Sequence, residues 1–314
     1  MKQVQASTVV GVDVGKRRLD AATAAGAEAS FANDDAGCAS LVAWARSHGV
    51  ERVGFEATGG YERRCRRALD AAGVQVVIHQ PLEIRLFARL KRIKAKSDGI
   101  DRHTIAQATL YLDTLRAAQD PALGKLADQL TAYEYAADAL ARARTFLEHV
   151  DQPELLATFS AHIDDLKRLK QKLKTELLEA ISADPELARR FELLQSLPGV
   201  GPLTAAALVA RMPELGSMRH GQAASLLGVA PFDRDSGDHK GRRFICGGRG
   251  RVRRFVYLAA LAAKRHDKAM SAFAARLAAT GKPPKVILVA VMRKLVEAAN
   301  LVLSRGHPWQ VSTS

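Results

Sequence analysis

The sequence contains few cysteines and few aromatic residues. Its three cysteines, Cys38, Cys65 and Cys246, form no Cys-x-x-Cys pair. Their odd number and their spacing speak against a disulfide framework or a structural zinc site, and for a reducing compartment. Aromatic residues make up 5% of the chain, so stacking on aromatic side chains is not expected to be the main way of binding a nucleic acid.

Long uninterrupted apolar segments are also absent. The first residues lead directly into a predicted strand, without the apolar region of a signal peptide. The most apolar late segment, residues 286–303, contains Arg293, Lys294 and Glu297. We therefore predict a buried or amphipathic helix there and no membrane span. No internal repeat or low-complexity tract interrupts the chain.

Acidic residues are in the minority. The 314 residues include 33 Asp and Glu against 47 Lys and Arg, which gives a formal net charge of +14. A globular chain this basic usually binds a polyanion, and nucleic acid is the first candidate. With few aromatic residues, phosphate contacts are the expected source of affinity, and such binding weakens steeply with salt. The length and the 47% of hydrophobic residues allow two domains with buried cores.

The first third of the chain alternates between strand-like and helix-like segments. Strands are predicted at residues 8–14, 52–57 and 74–78, a hairpin over residues 19–31, and helices over residues 36–48 and from Pro81 onward. This alternation predicts an α/β layer fold with a partly parallel sheet.

The rest of the chain is predicted to be helical. Ile163 to Ile181 form an amphipathic stripe, which suits either a coiled-coil arm for dimerisation or a helix packed on its own domain. Further helices are predicted at residues 252–264, 268–279 and 284–303. The segment from Leu197 to Gly201 is similar to a helix-hairpin-helix, whose Gly199 and Gly201 present backbone N–H groups to a phosphate. The alternative is a tight helix–helix turn with small residues at the crossing.

Two carboxylates lie in otherwise apolar predicted strands. Asp13 and Glu56 are each followed closely by glycine, which suggests side chains converging at strand ends, where open α/β sheets place their sites. Asp98 and Asp101 are three residues apart at the start of a predicted helix, so they face one side of its first turn. Helix capping alone is an alternative for that pair. Together the four residues make an all-oxygen set suited to two Mg²⁺ ions.

A serine precedes the most arginine-dense stretch of the chain. Ser236 lies in the segment Asp-Ser-Gly, and residues 241–254 that follow hold six arginines and no acid. A hydroxyl on a small glycine-flanked turn beside positive charge suits attack on a phosphodiester. The alternative is a solvated basic loop whose serine makes a turn hydrogen bond. The arginines predicted to contact phosphate are Arg242, Arg243, Arg249 and Arg251.

These segments together resemble the transposases of the insertion-sequence-110 type. The matching segments follow in order at residues 11–13, 55–59, 96–101, 197–201, 228–231, 235–237, 247–249 and 285–295. One difference is Ser97, where members of the family commonly have threonine, and both residues carry a hydroxyl. The resemblance implies a RuvC-like (RNase H-like) DEDD domain at residues 1–112, a helical or coiled-coil oligomerisation region at 113–192, and a mainly α C-terminal transposase domain at 193–314.

The resemblance also implies a chemistry. A DNA recombinase of this family is expected to use Ser236 as the nucleophile that forms a phosphoserine link to DNA. Asp13, Glu56, Asp98 and Asp101 are expected to hold Mg²⁺ at the same phosphate. The implied partners are donor and target DNA, a guide RNA encoded by the element, and further copies of the chain that complete a composite site in the bacterial cytoplasm, at the nucleoid.

Two other functions remain open at the level of the sequence. One is a metal-dependent, structure-specific endonuclease of the RuvC type, which needs the carboxylates and forms no serine adduct. The other is a nucleic-acid-binding protein with a degenerate nuclease fold, which explains the charge and leaves the four acids and the serine without a role.

Overall fold

The computed structural model describes residues 8–93, 98–111, 120–232, 241 and 243–310, with the backbone alone for residues 98–100. The chain divides into two compact units, Met1–Gln119 and Asp120–Ser314. The first unit is a mixed α/β structure and the described part of the second is almost entirely helical. The helices that begin at Pro121 and Pro153 therefore belong to the second unit.

The first unit contains one five-stranded sheet. Its elements in chain order are β1 (Val9–Val14), β2 (Arg18–Thr23), β3 (Glu28–Ala32), α1 (Asp35–Ser47), β4 (Arg52–Glu56), α2 (Arg63–Ala71), β5 (Gln75–His79), α3 (Pro81–Leu90) and α4 (Asp98–Tyr111). The strand order is β3-β2-β1-β4-β5. The β1–β2 and β2–β3 pairs are antiparallel, and the β1–β4 and β4–β5 pairs are parallel. The predicted α/β fold with a partly parallel sheet is confirmed.

One face of this sheet carries the hydrophobic core of the unit. Val12 and Phe55, neighbours on β1 and β4, pack with Leu41 of α1 and Leu69 of α2, and all four side chains are fully buried. Because side chains alternate along a strand, the residues before and after Val12 and Phe55 point to the opposite face. Burying such side chains stabilises the unit by about 1.5–3 kcal/mol each.

The opposite face is covered by α4, which comes unusually close to the strands. A Cβ added at Gly11 would collide with the backbone of Arg102 and Ala106, and one at Gly54 would collide with the side chain of Thr109. The two glycines are partners in the β1–β4 register. Glycine is therefore required at both positions, because α4 occupies the space that a side chain would need.

The second unit is built from eight described helices and one short strand pair. These are α5 (Pro121–Leu147), α6 (Pro153–Ser182), α7 (Pro185–Gln195), α8 (Pro202–Arg211), α9 (Gln222–Leu227), β6 (Pro231–Phe232), β7 (Phe244–Ile245), α10 (Gly250–His266), α11 (Lys268–Ala279) and α12 (Pro284–Arg305). The three helices predicted near the C-terminus correspond to α10, α11 and α12. Asp267 caps α11 by accepting a hydrogen bond from the backbone N–H of Met270.

The amphipathic stripe of α6 is mostly buried inside its own unit. Ile163 and Leu166 pack with Leu140 of α5, and Leu177 and Ile181 join the main core of the unit. Leu169, on the same stripe, is 42% exposed. Most of the stripe thus serves packing within the chain. Along the described parts of the chain, none of the helices has the combined length and apolarity needed to cross a membrane.

Candidate functional site

Asp13 and Glu56 lie at the ends of two neighbouring parallel strands. Val12 pairs with Phe55 in the β1–β4 register, so Asp13 and Glu56 occupy the next position on each strand. Both side chains are half-buried. They share a face with Gly11 and Gly54, because residues two apart on a strand point the same way. The two carboxylates are thus neighbours on adjacent strands, which run about 4.8 Å apart, on the face that α4 covers.

The same level of the sheet carries further polar side chains on that face. Asp13 pairs with Asp20 on β2, Asp20 pairs with Ser30 on β3, and Glu56 pairs with His79 on β5. We call these five residues, Ser30, Asp20, Asp13, Glu56 and His79, the polar row. The sequence did not single out Asp20, Ser30 or His79, because their adjacency depends on pairing between strands that are distant in the chain.

The other two predicted carboxylates belong to the first turn of α4. Asp98 is its first residue, and its side chain lies outside the described part of the structure, as does Ser97. Asp101 is half-buried and directly precedes Arg102, whose backbone contacts Gly11. Among the described residues, no three His, Cys, Asp or Glu side chains are grouped closely enough to hold a metal ion. The structure thus pairs Asp13 with Glu56, and the four-carboxylate set stays a prediction.

The start of α4 is anchored to the sheet by an ion-pair cluster. The carboxylate of Glu28 on β3 accepts hydrogen bonds from Arg102 and from His103, the latter at 2.6 Å. The bonds from His103 and then Arg102 lower the pKa of Glu28 below its ordinary value. Arg102 and His103 directly follow Asp101, so this cluster fixes where the first turn of α4 lies on the sheet.

A buried histidine connects the far edge of the sheet to the same helix. The Thr109 hydroxyl donates to the Ile105 carbonyl at 2.7 Å and lies 2.8 Å from His79 Nε2. The hydroxyl has one proton and donates it to the Ile105 carbonyl, so it must accept a hydrogen bond from His79. This assigns the imidazole proton to Nε2. His79 is fully buried. Its position in the polar row is therefore fixed by α4.

A buried carboxylate, Glu62, shapes the loop after β4. Glu62 accepts hydrogen bonds from the Thr58 hydroxyl at 2.5 Å and from the backbone N–H of Gly60 at 3.0 Å. Burial raises the pKa of Glu62, but these hydrogen bonds and the one from the Thr58 N–H outweigh it, and the pKa falls below its ordinary value. An ionised Glu62 thus fixes the loop next to Glu56. The turn residues Thr58 to Gly60, followed by an acid, were the available signal in the sequence.

Ser236 lies in a segment that the structure does not describe, residues 233–240, and Arg242 is likewise outside the described residues. The two ends of this segment are paired. Pro231 and Phe232 of β6 form an antiparallel pair with Ile245 and Phe244 of β7. The chain therefore leaves and re-enters the unit at adjacent points on either side of Ser236.

The base of that segment is closed by a glycine contact. The backbone segments at Gly228 and Gly248 lie very close together. A Cβ at Gly228 would collide with the backbone of Gly247, and a Cβ at Gly248 would collide with the backbone of Gly228. Gly248 also has φ +70°, a conformation that other residues adopt at a cost. Arg253 joins the two sides by donating to the carbonyls of Gly228 at 3.1 Å and Gly247 at 2.8 Å.

The predicted phosphate-binding arginines separate into two groups. Arg249 is half-buried, with Nη1 donating to Glu214 Oε2 and to the Arg211 carbonyl, both at 2.6 Å, and Nη2 donating to Glu214 Oε1. Arg251 has a 63% exposed side chain and donates to the Thr131 hydroxyl at 3.0 Å. Arg243 is exposed. The geometry thus gives Arg249 a structural role and leaves Arg251 and Arg243 at the surface.

The two glycines of the helix-hairpin-helix-like turn also differ. Gly199 has φ +73°, and a Cβ there would lie 2.6 Å from the backbone nitrogen of Ala263 on α10. The absence of a side chain at Gly199 therefore allows α10 to approach closely. This fits the alternative of a tight helix–helix turn with small residues at the crossing. Gly201 caps the N-terminus of α8 and has open space where a Cβ would be.

Comparison with known proteins identifies relatives along most of the chain. Residues 191–275 match the model of the transposase IS116/IS110/IS902 family, and residues 10–151 match a second model, described as a transposase, for the DEDD domain of the same group. The pilin gene-inverting protein of Moraxella bovis is 26% identical over 325 aligned positions, which cover 96% of this chain and 97% of the relative. The protein of the same name from Moraxella lacunata matches with the same identity and coverage.

Proposed function

Because the chain belongs to the IS116/IS110/IS902 family of transposases, we propose that it cuts and rejoins DNA through a covalent link to Ser236. Its enzyme class, a DNA transposase or recombinase, follows from the family. The relatives are named for inverting a pilin gene, and inversion needs the same cutting and rejoining of two DNA sites. The proposal adds the nucleophile, the metal ion and the partners.

The pairing of Asp13 with Glu56 is the observation that carries the proposal. Asp13 and Glu56 place two half-buried carboxylates side by side at adjacent strand ends. Their oxygen donors match the preference of Mg²⁺. Asp13 and Glu56, with Asp98 and Asp101 from α4 in a RuvC-like arrangement, would hold the ion. When bound, Mg²⁺ supplies positive charge for the oxygens that attack and leave in phosphoryl transfer.

The covalent step is a transesterification. The Ser236 Oγ attacks the phosphorus atom, a P–O bond to one DNA strand breaks, and that strand leaves as a hydroxyl with the proton. The hydroxyl of a second strand then attacks the phosphoserine, and Ser236 is released with its proton. One phosphodiester is exchanged for another at each step, so ATP is not required. The paired ends of the Ser236 segment and the exposed Arg243 and Arg251 support this assignment.

The partners are proposed from the family resemblance together with the charge. A net charge of +14 suits binding to DNA and to RNA. A guide RNA encoded by the element would select both DNA sites by base pairing, while the protein contacts backbone and shape. Asp13 and Ser236 belong to different units of the chain. A homo-oligomer in which one copy supplies the carboxylates and another the serine would complete the site.

Detection of the covalent adduct tests the proposal. The full-length protein, with the RNA that copurifies with it, is mixed with Mg²⁺ and labelled DNA containing the ends of the element, and analysed on a denaturing gel. We expect a protein–DNA adduct with the native chain, none with Ser236→Ala, and an undiminished one with the control Ser271→Ala on the exposed surface of α11.

The alternatives give different results in the same experiment. An adduct that persists in Ser236→Ala would remove the role of that serine. DNA cutting by the native protein without any adduct would favour the metal-dependent, structure-specific endonuclease.

A further inference from the structure

Arg18 lies beside the paired carboxylates in the first unit. It is the first residue of β2, two positions before Asp20 and therefore on the same face of the sheet. Asp20 is the direct partner of Asp13, so Arg18 is the diagonal neighbour of Asp13, at about 7–8 Å between such positions. It extends the polar row toward the edge where β1 and β4 end.

The guanidinium of Arg18 is held by two side chains. Its Nε donates to Asp20 Oδ1 at 2.8 Å, and its Nη2 donates to the Ser30 hydroxyl at 3.0 Å. The Ser30 hydroxyl in turn donates to the same Asp20 oxygen. The three side chains form a closed triangle across β2 and β3, which fixes the plane of the guanidinium.

This arrangement leaves part of the guanidinium available. The Arg18 side chain is 66% exposed, whereas that of Asp20 is 14% exposed. The triangle uses Nε and one N–H of Nη2, and the contacts within the described residues give Nη1 no protein partner. Exposed ion pairs contribute little to the stability of the folded state. A contribution to folding therefore does not explain why Asp20 and Ser30 hold Arg18 in one orientation.

We propose that Arg18 binds a phosphate of the DNA strand that is cut at Asp13 and Glu56, and that Asp20 and Ser30 are positioning residues for it. The inference rests on the proposed function. A carboxylate pair repels the phosphodiester backbone, and a cation beside it lowers that repulsion. Arginine presents parallel N–H donors that match phosphate oxygens. Because its orientation is already fixed, Arg18 loses less conformational freedom when DNA binds.

The first experiment removes the charge at two places in the same unit. Arg18→Ala is compared with Arg46→Ala, which removes an exposed arginine from α1 on the opposite side of the sheet. Binding of the element-end DNA is measured without divalent ions over a range of salt concentrations. We expect Arg18→Ala to reduce the slope of log K against log salt by about 0.7–0.9, the value for one phosphate contact. We expect Arg46→Ala to leave the slope unchanged.

Cutting in Mg²⁺ gives the second measurement. Loss of a charged hydrogen bond to phosphate predicts about ten- to a hundredfold slower cutting by Arg18→Ala. Arg18→Lys, which keeps the charge and loses the paired donors, should recover the salt slope but only part of the rate. Equal behaviour of Arg18→Ala and Arg46→Ala in both measurements would overturn the proposal.

The positioning role is tested by a double-mutant cycle. Ser30→Ala and Asp20→Asn should each slow cutting in the native background, and should slow it much less in the Arg18→Ala background, because they act through Arg18. Binding of Mg²⁺, followed by titration calorimetry, should be the same in Ser30→Ala as in the native protein. Additive effects of Asp20→Asn and Arg18→Ala would show that Asp20 acts on its own, for instance as a metal ligand.

Asp13→Asn separates failure of this inference from failure of the proposed function. If Asp13→Asn abolishes cutting while Arg18→Ala behaves like the control, only the role of Arg18 is lost. If Asp13→Asn cuts at the native rate, the carboxylate site itself is wrong, and the proposal for Arg18 falls with it.

Discussion

The carboxylates of the first unit and the arginines of the second unit both stand out in the sequence. The fold brings the distant carboxylates together, whereas it gives the neighbouring arginines different surroundings. Asp13 and Glu56 are 43 positions apart in the chain, and the parallel pairing of β1 with β4 makes them neighbours. Arg249, Arg251 and Arg253 are almost consecutive, and the structure gives them different surroundings. Arg249 and Arg253 are half-buried and donate to backbone carbonyls, and Arg249 also to a carboxylate. Arg251 is 63% exposed, and its Nη1 lies 3.0 Å from the Thr131 hydroxyl and 3.9 Å from Glu134 Oε2.

A carboxylate in an apolar strand is therefore a stronger indication of a functional site than a cluster of arginines. A carboxylate in an otherwise apolar strand is uncommon, because a buried charge must be paired or hydrogen-bonded. An arginine has many ordinary roles, because its five donors satisfy carbonyls and carboxylates wherever the backbone needs them. Arginine density alone therefore does not give the number of phosphate contacts in the segment after Ser236.

The largest expected effect is at the carboxylate pair. Asp13→Asn removes one charge from the predicted metal site and should slow DNA cutting by about a thousandfold, which corresponds to roughly 4 kcal/mol of transition-state stabilisation. Asp35→Asn, at an almost fully exposed carboxylate on α1, should leave the rate unchanged. Single-turnover cutting of element-end DNA in Mg²⁺ measures both. Comparable rates for the two variants would mean that the strand-end pair is not the metal site.

A smaller effect is expected at the base of the Ser236 segment. Gly248→Ala combines a left-handed conformation with a backbone collision and should lower the free energy of unfolding of the second unit by about 3 kcal/mol. Gly247 has φ +63° and no atom within 4 Å of a built Cβ, so Gly247→Ala should lower it by only about 1–2 kcal/mol.

Tryptophan fluorescence measures this difference in the unit concerned. Trp309 packs on the core of the second unit and Trp44 on that of the first, so urea unfolding in a Trp44→Phe background follows the second unit. Equal losses for the two alanine variants would show that the contact between Gly228 and Gly248 is not tight.

The smallest effects should sharpen the division between the arginines. Arg249→Ala leaves Glu214 without its bidentate partner and should lower the stability of the second unit by about 1–2 kcal/mol. Arg251→Ala should leave stability unchanged and reduce the salt slope of DNA binding by about 0.7–0.9. Urea unfolding and DNA binding at several salt concentrations separate the two effects. An unchanged slope for Arg251→Ala would remove Arg251 from the phosphate-binding set.

Much of the fold follows from local patterns. The alternation of strands and helices in the first unit, the β2–β3 hairpin and the helices α10 to α12 were all predictable, because hydrophobic period and capping residues are properties of short segments. Asp267 is an example, since an aspartate before a helical pattern acts as its cap. The short β6–β7 pair was not predictable, because two residues on each side give no period to read.

The functional site could be predicted from local sequence patterns only in part. Asp13 and Glu56 could be recognised as carboxylates out of place in apolar strands. Their neighbours Asp20 and Ser30 lie in a hairpin whose residues look like an ordinary exposed strand, so nothing local marked them. For Gly199 the sequence left phosphate binding and helix packing open, and the structure shows a close approach to α10 that supports the packing alternative.

The amino-acid sequence by itself determined the basic charge, the α/β and helical halves, and the residue types available for chemistry with phosphate. Only the tertiary structure decided that Asp20 and Ser30 lie in line with Asp13, that Arg18 is held beside it, and that Arg249 is used within the protein. The reason is physical: composition and period act over a few residues, whereas strand register and helix approach bring together groups that are far apart in the chain.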